Sequence, residues 1–200
     1  MGRPVCYSRP GATNQMKLTE TDLLGLFHIE AKPHADDRGA FGRLYCEETF
    51  KSSGLDFTPV QSNLSTNKAE GTLRGLHFQN GQFGEEKLVH AVTGSAWDVA
   101  VDLRRGPTFG NWRAIELNAM KMNAVFIPKG FAHGFITLEP NTSLLYHMGS
   151  SYVPEQATGI FWSDTDLSID WPMPPKVISA ADQILPNLRK NYGDLLKGNE

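Results

Sequence analysis

The chain of 200 residues has few cysteines, no excess of positive charge and no long apolar run. Its two cysteines, Cys6 and Cys46, lack metal-site spacing and cannot build a disulfide framework, so we expect a reducing, cytoplasmic setting. The net charge of −3 provides no basic surface for nucleic acid. No segment approaches transmembrane length and the N-terminus lacks a signal-like apolar stretch, so we expect no membrane partner.

The remaining composition is that of one globular domain. Hydrophobic residues make up 40% and charged residues 20% of the chain, which carries no signature of disorder. Residues 1–15 contain prolines and glycines without an apolar period, and we interpret them as a loose N-terminal tail. We expect residues 16–200 to form a single domain.

Short apolar runs separated by turn signals indicate an all-β fold. Gly106-Pro107 and Pro128-Lys129-Gly130 are typical turns between such runs. We expect the first strand over residues 26–31 and a second over residues 40–45. The pattern as a whole predicts an antiparallel β-sandwich or barrel.

Helical patterns are confined to two places. Residues 47–53 predict a turn or two of helix. Ser179-Ala180-Ala181-Asp182 resembles a capping box, with aspartate where glutamate or glutamine is usual, and apolar residues follow at helical spacing. Because Pro186 lies within this pattern, we expect a short or broken C-terminal helical segment.

Residues 71–103 hold ionisable side chains within predicted strands. Between Trp97 and Leu103 the period of two places the apolar residues on one face and Asp98 and Asp102 on the other. That polar face either meets solvent, which is the commoner case for one strand, or lines a polar cavity. His77 and Lys87, on neighbouring segments, would converge with Asp98 if the sheet curls.

Two histidines stand at the spacing of the cupin motifs. These are His77, six residues after Gly71, and His133, which ends Pro128-x-Gly130-x-x-His133. Gln79 occupies the position where metal-binding cupins carry a second histidine. Two imidazoles make a poor divalent-metal site, because catalytic sites usually take three protein ligands. We therefore expect no metal.

Several motifs together resemble the dTDP-4-dehydrorhamnose 3,5-epimerase family, over about residues 24–182. They are Arg74-Gly75-Leu76-His77-Phe78-Gln79, Lys87-Leu88-Val89, Asp98-Val99-Ala100-Val101-Asp102-Leu103-Arg104, Pro107-Thr108-Phe109-Gly110, Ile127-Pro128-Lys129-Gly130-Phe131-Ala132-His133-Gly134-Phe135, Trp162-Ser163-Asp164 and Ile169-Asp170-Trp171-Pro172. The resemblance implies an antiparallel double-stranded β-helix, or jelly roll, that works as a homodimer without metal or other cofactor. The implied reaction is epimerisation at C3, C5 or both of a nucleotide-linked 4-keto-6-deoxy sugar, with dTDP-4-dehydro-6-deoxyglucose as the leading candidate.

The resemblance also implies catalytic roles. His77 would be the base that removes the proton next to the ketone, Asp182 would orient it, and Lys87 would stabilise the enolate. Tyr146 would return a proton from the opposite face. Without the resemblance, Lys87 would be interpreted as a solvated surface charge, Tyr146 as a packed wall residue and Asp182 as a helix cap.

Further positions match family residues that bind substrate. Five of them imply contacts with base, ribose and diphosphate: Arg38, Phe41, Gln61, Asn63 and Arg74. Asp98 and His133 match a second polar pair of the pocket, and Tyr152 matches one of two adjacent family tyrosines.

Three positions depart from the family pattern. Arg43 replaces a glutamate, Ser151 replaces the first of the two tyrosines, and His90 replaces an arginine after Lys-Leu-Val. The base, the sugar or the number of inverted carbons could therefore differ. Two other hypotheses stay open at this point: a metal-dependent cupin enzyme and a non-catalytic cupin that binds sugar nucleotides.

Overall fold

The computed structural model describes residues 16–196 and consists mainly of two six-stranded sheets. The proposed tail, residues 1–15, and Cys6 lie outside the described residues. The strands are β1 Met16–Glu20, β2 Phe27–Ala31, β3 His34–Asp36, β4 Gly39–Phe41, β5 Gln61–Asn67, β6 Thr72–Gln79, β7 Lys87–Thr93, β8 Ser95–Asp102, β9 Trp112–Asn118, β10 Asn123–Ile127, β11 Phe131–Thr137, β12 Thr142–Met148, β13 Ala157–Gly159 and β14 Val177–Ile178. The α-helices are α1 Glu47–Ser52, α2 Ala180–Gln183 and α3 Leu188–Leu196.

The strand order confirms the predicted antiparallel jelly roll. The first sheet runs β1-β2-β10-β7-β12-β5, and the second runs β13-β6-β11-β8-β9 with β14 beside β6. All of these pairs are antiparallel except β14 with β6. Strands β3 and β4 form a separate hairpin. Many neighbouring strands, such as β7 with β12 and β6 with β11, are distant in sequence, so residues far apart along the chain share one wall.

Three apolar clusters explain why the sheets stack. The cluster between them includes Val89, Phe135 and Leu144. A second one covers the outer face of the second sheet, where alternate residues of β8 pack beneath Leu188 of α3. A third lies outside the first sheet beneath Phe50 of α1. The alternation predicted for β8 therefore separates an outer apolar layer from side chains that point between the sheets.

Two local predictions need correction. No strand was expected before residue 26, but β1 pairs along its length with β2; its side chains are mostly exposed, so it lacks a strong apolar signal. The strand expected over residues 40–45 ends at Phe41, because β4 belongs to an exposed two-stranded hairpin rather than to a large sheet. The helix predicted from residue 47 is present as α1. The C-terminal helical pattern is broken into α2 and α3 on either side of Pro186.

Candidate active site

A cavity of about 560 Å³ opens among residues of both sheets and of α2. It is lined by Gln61, Asn63, His77, Phe78, Gln79, Glu85, Met148, Tyr152, Ala157, Thr158, Ala181, Asp182 and Leu185. Five of the predicted site residues are therefore brought to one cavity: Gln61, Asn63, His77, Tyr152 and Asp182.

His77 of β6 and Asp182 of α2 form a hydrogen-bonded pair on the cavity wall. His77 Nε2 lies 2.8 Å from Asp182 Oδ1, and the backbone N–H of Gly75 donates to Asp182 Oδ2 at 3.3 Å. Ser179 is the N-cap of α2, where its hydroxyl oxygen accepts from the Asp182 N–H. The carboxylate of Asp182 is thus directed to His77 and Gly75, and the interpretation of this residue as a helix cap is wrong.

The surroundings of His77 favour the neutral imidazole. Burial lowers the pKa of His77 below its ordinary value, the bond to Asp182 opposes that effect, and the charges of Lys87 and His133 add to the lowering. Because Nε2–H donates to Asp182, Nδ1 carries the free lone pair. The side chain is 47% exposed, so this nitrogen is accessible from the cavity. Such a group is suited to act as a general base near neutral pH.

Gly75 explains why this strand can carry the pair. A side chain there would come within 2.5 Å of the Cα atom of Gly134 on β11, and its φ of +129° is strained for other residues. The close approach coincides with a register shift between His133 and Phe135. It leaves the Gly75 N–H free to bond to Asp182.

Lys87 begins β7 and is only 5% exposed, so its interpretation as a solvated surface charge is wrong. Its ammonium donates to the backbone carbonyl of His77 at 3.1 Å and lies 3.0 Å from Glu85 Oε1. A fixed positive charge beside His77 is suited to stabilise a developing oxyanion.

A second His–Asp pair lies next to the first. His133 on β11 is paired in register with His77, and its Nε2 lies 2.8 Å from Asp98 Oδ2. Asp98 and Asp102 are both buried, so the wet-face interpretation of β8 is wrong. Asp98 Oδ1 has no hydrogen-bond partner among the described residues, whereas Asp102 accepts hydrogen bonds from the Arg104 guanidinium.

Tyr146 stands on the sheet opposite His77. It belongs to β12 of the first sheet, and its ring meets the His133 ring edge-on with centroids 5.8 Å apart. Burial raises the pKa of Tyr146 well above its usual range, and the negative charge of Asp98 adds to this effect. The phenol therefore stays protonated at physiological pH. Tyr146 is partly packed against the core, but its position also makes it available as an acid.

The other proposed binding residues divide into two groups. Gln61, Asn63 and Tyr152 line the cavity, and Arg74 on β6 donates from Nε to Asn67 on β5 at 2.9 Å. The hairpin β3–β4 instead places Arg38 and Phe41 away from the cavity. Phe41 is 79% exposed, and Arg38 forms an ion pair with Asp36. The structure does not bring Arg38 and Phe41 to the cavity of their own chain.

Gln79 and Glu85 are cavity residues that sequence reasoning did not assign to the site. The Gln79 amide donates to the carbonyls of Phe83 and Ser151 and accepts from Val153 N–H. Gln79 therefore fastens the loop before β7 to the segment after β12. The position of Gln79 in the cupin motif could have marked it as a site residue. Glu85 has no such signal in the sequence, where it resembles a surface charge.

The three residues that depart from the family pattern, His90, Arg43 and Ser151, lie in different environments. His90 lies on the face of β7 away from Val89, is 1% exposed and has no hydrogen-bond partner for either ring nitrogen among the described residues. Burial lowers the pKa of His90 to about 3, and the charge of His147 contributes. Arg43 contacts the sulfur of Cys46, and the carbonyl of Ser151 accepts from Gln79.

Within residues 16–196 no three His, Cys, Asp or Glu side chains are grouped as a metal site would require. In the same range, no helix is long and apolar enough to cross a membrane.

The family model for dTDP-4-dehydrorhamnose 3,5-epimerase matches residues 20–190. The chain belongs to this family. The dTDP-4-dehydrorhamnose 3,5-epimerase of Salmonella typhimurium is 39% identical over 176 residues, which cover 86% of this chain and 96% of the relative.

Solved structures agree with this assignment. The dTDP-6-deoxy-D-glucose-3,5-epimerase of Legionella pneumophila, in complex with dTDP-4-keto-L-rhamnose, has a TM-score of 0.84 and 36% identity, covering 90% of this chain and 96% of its own. ChmJ, a 3'-monoepimerase from Streptomyces bikiniensis in complex with dTDP-quinovose, has a TM-score of 0.78 and 30% identity. The match covers 88% of this chain and 93% of the ChmJ chain. The predicted family is confirmed, and the chain is an isomerase rather than a non-catalytic binding protein.

Proposed function

We propose that the chain inverts C3 and C5 of a nucleoside-diphosphate 4-keto-6-deoxy sugar, with dTDP-4-dehydro-6-deoxyglucose as substrate. The observation that carries this proposal is the His77–Asp182 pair on the cavity wall, with Lys87 beside it and Tyr146 on the opposite sheet. The relatives' names and the ligands in their structures support the substrate class.

The reaction begins with proton removal. Nδ1 of His77 takes the proton from the carbon next to the C4 ketone, and the electron pair moves to the ketone oxygen to give an enolate. Because this carbon acid is far weaker than imidazolium, a base alone is insufficient, and the ammonium of Lys87 stabilises the oxyanion. Asp182 stabilises the imidazolium and keeps the ring oriented.

Inversion requires a proton from the other face. Tyr146 donates its phenolic proton to the same carbon as the enolate collapses to the ketone. The phenolate and the imidazolium then return to their starting states by exchange with solvent. The product is an isomer in which a solvent proton replaces the original one, and the same groups can act at the second carbon.

Binding of the nucleotide uses the remaining predicted residues. Gln61, Asn63 and Tyr152 lie in the cavity, and Arg74 supplies a guanidinium suited to diphosphate. Asp98 and His133 form the polar wall behind the sugar. Arg38 and Phe41 reach a substrate only if a second copy supplies their hairpin, which supports a homodimer. Residues 16–200 would form one catalytic domain in a cytoplasmic enzyme without metal or other cofactor.

The test is solvent exchange monitored by NMR. The enzyme is incubated in D₂O with dTDP-4-dehydro-6-deoxyglucose, and deuterium and configuration are followed at C3 and C5. We expect deuterium and inversion at both carbons. Inversion at C3 alone would establish a 3-epimerase, and absence of exchange with this sugar would contradict the proposed substrate.

A further inference from the structure

Glu85 is the buried acidic neighbour of Lys87, and the proposed chemistry above does not use it. Both side chains are almost fully buried, with the Lys87 ammonium 3.0 Å from Glu85 Oε1. A buried carboxylate beside the cation that stabilises the enolate would oppose catalysis if its only effect were to offset the positive charge. Its geometry indicates a different role.

The donors of Lys87 can be counted. An ammonium has three N–H donors. One is directed to the His77 carbonyl at 3.1 Å. Glu85 Oε1 lies 3.0 Å from the same nitrogen as an ion-pair partner. The hydrogen bond to the His77 carbonyl therefore leaves donors of the Lys87 ammonium for a substrate oxygen.

The carboxylate is itself held in place. Glu85 Oε2 accepts the backbone N–H of Gln79 at 3.1 Å, and Gln79 belongs to the same strand as His77. Glu85 also lines the cavity. The base and the cation are thus connected through one short chain of contacts: His77 carbonyl, Lys87, Glu85 and the Gln79 amide.

The other surroundings of Lys87 provide little stabilisation for its charge. Its register partners are Ile127 on β10 and Met148 on β12, both apolar. Among the described residues, the titratable groups that contact it are Glu85, through its carboxylate, and His77, through its backbone carbonyl. A buried charge requires a partner or loses its proton.

We propose that Glu85 is a positioning residue whose ion pair keeps the Lys87 ammonium charged and in place to donate to the enolate oxygen. This inference rests on the proposed role of Lys87. The nearby Glu86 provides a matched control, because its carboxylate contacts Lys129 at 3.5 Å instead.

The experiment compares Glu85→Gln, Glu85→Asp and Glu86→Gln by the rate of deuterium incorporation between pH 6.5 and pH 9. Glutamine keeps the length but loses the charge and one acceptor, and a negative neighbour favours the ammonium form. For Glu85→Gln we expect kcat to fall roughly tenfold or more at pH 9 and less than about threefold at pH 6.5, with KM within about twofold. Glu85→Asp should restore the wild-type shape of the pH profile, and Glu86→Gln should match wild type.

Three results would overturn the inference. They are a Glu85→Gln variant that matches Glu86→Gln, one that is faster than wild type at every pH, and one whose loss is uniform across pH with a lowered melting temperature. Lys87→Gln separates this inference from the proposed function. If Lys87→Gln keeps the wild-type rate, the role of Lys87 is wrong; if it is inactive while Glu85→Gln is unaffected, only the role of Glu85 is wrong.

Discussion

In the proposed mechanism, the two proton transfers are made by single residues on opposite sheets. His77 stands on β6 with Asp182 bonded to its Nε2, and Tyr146 stands on β12 of the opposite sheet with a raised pKa. A base that is neutral and an acid that stays protonated can act at the same pH. Their separation on opposite walls is what inversion, rather than simple exchange, requires.

The first prediction concerns His77 and Asp182. His77→Ala should abolish deuterium incorporation without loss of the circular dichroism spectrum of the fold. Asp182→Asn should be milder, and because Asp182 raises the pKa of His77, its loss should move the acid limb of the rate profile to lower pH. A His77→Ala rate within about threefold of wild type would rule out His77 as the base.

The second prediction concerns Tyr146. Tyr146→Phe removes only the hydroxyl, so packing against His133 should be nearly unchanged. The variant should still incorporate deuterium with retained configuration, because His77 and Lys87 can form and quench the enolate. Inverted product should fall by roughly a hundredfold or more, measured by NMR of the sugar. Inversion at the wild-type rate would show that another group donates the proton.

At the scale of elements, the hairpin β3–β4 lies outside both sheets yet carries two predicted binding residues. If it completes the cavity of a second copy, two inactive variants can complement each other. In a heterodimer of Arg38→Ala/Phe41→Ala with His77→Ala, one cavity keeps His77 and receives an intact hairpin. We expect a heterodimer purified with two tags to regain about half of the wild-type activity, since one of two sites is complete.

The matched control for this experiment is the heterodimer of His77→Ala with Tyr146→Phe. Each of its cavities lacks one catalytic side chain of its own chain, so inversion should not recover. Equal activity in both heterodimers would contradict the exchange of hairpins. Full activity of Arg38→Ala/Phe41→Ala alone would show that these residues do not bind substrate.

At the scale of the whole molecule, His90 couples stability to pH. The pKa of His90 in the fold is about 3, far below the ordinary 6.5. Between these values the unfolded chain binds a proton that the folded chain does not, so the free energy of unfolding falls as the pH falls. The slope from this group is at most about 1.4 kcal/mol per pH unit, and it fades as the pH rises above 6.5.

Urea unfolding between pH 7.5 and 4.5 checks this prediction. His90→Leu should flatten the loss of stability at acid pH, whereas His34→Gln, a change on an exposed strand of the hairpin, should leave it as in wild type. The same acid sensitivity in His90→Leu and wild type would show that other groups cause it.

We expect the enzyme to work without metal. With two histidines at cupin-ligand positions and Gln79 committed to backbone bonds, epimerase activity should survive exhaustive chelation, as measured by product NMR. Stoichiometric bound metal, together with activity lost on its removal and restored on its return, would contradict this prediction.

The sequence by itself determined the family, the jelly roll and the chemical types at the site. This was possible because period-two alternation and turn signals are local, as in β8, and because motifs such as Arg-Gly-Leu-His are contiguous. The sequence pattern failed for β1 and β4, where strands at an edge or in an exposed hairpin bury too few side chains to leave an apolar period.

Only the tertiary structure decided which side chains meet and which are buried. Asp182 reaches His77 across 105 residues because α2 lies beside β6, and no local pattern encodes that contact. Lys87 and Glu85 look like surface charges in sequence, yet sheet register and the loop before β7 bury them together. Burial and long-range pairing depend on the packing of distant segments, so the role of a charged residue becomes visible only once those segments are in place.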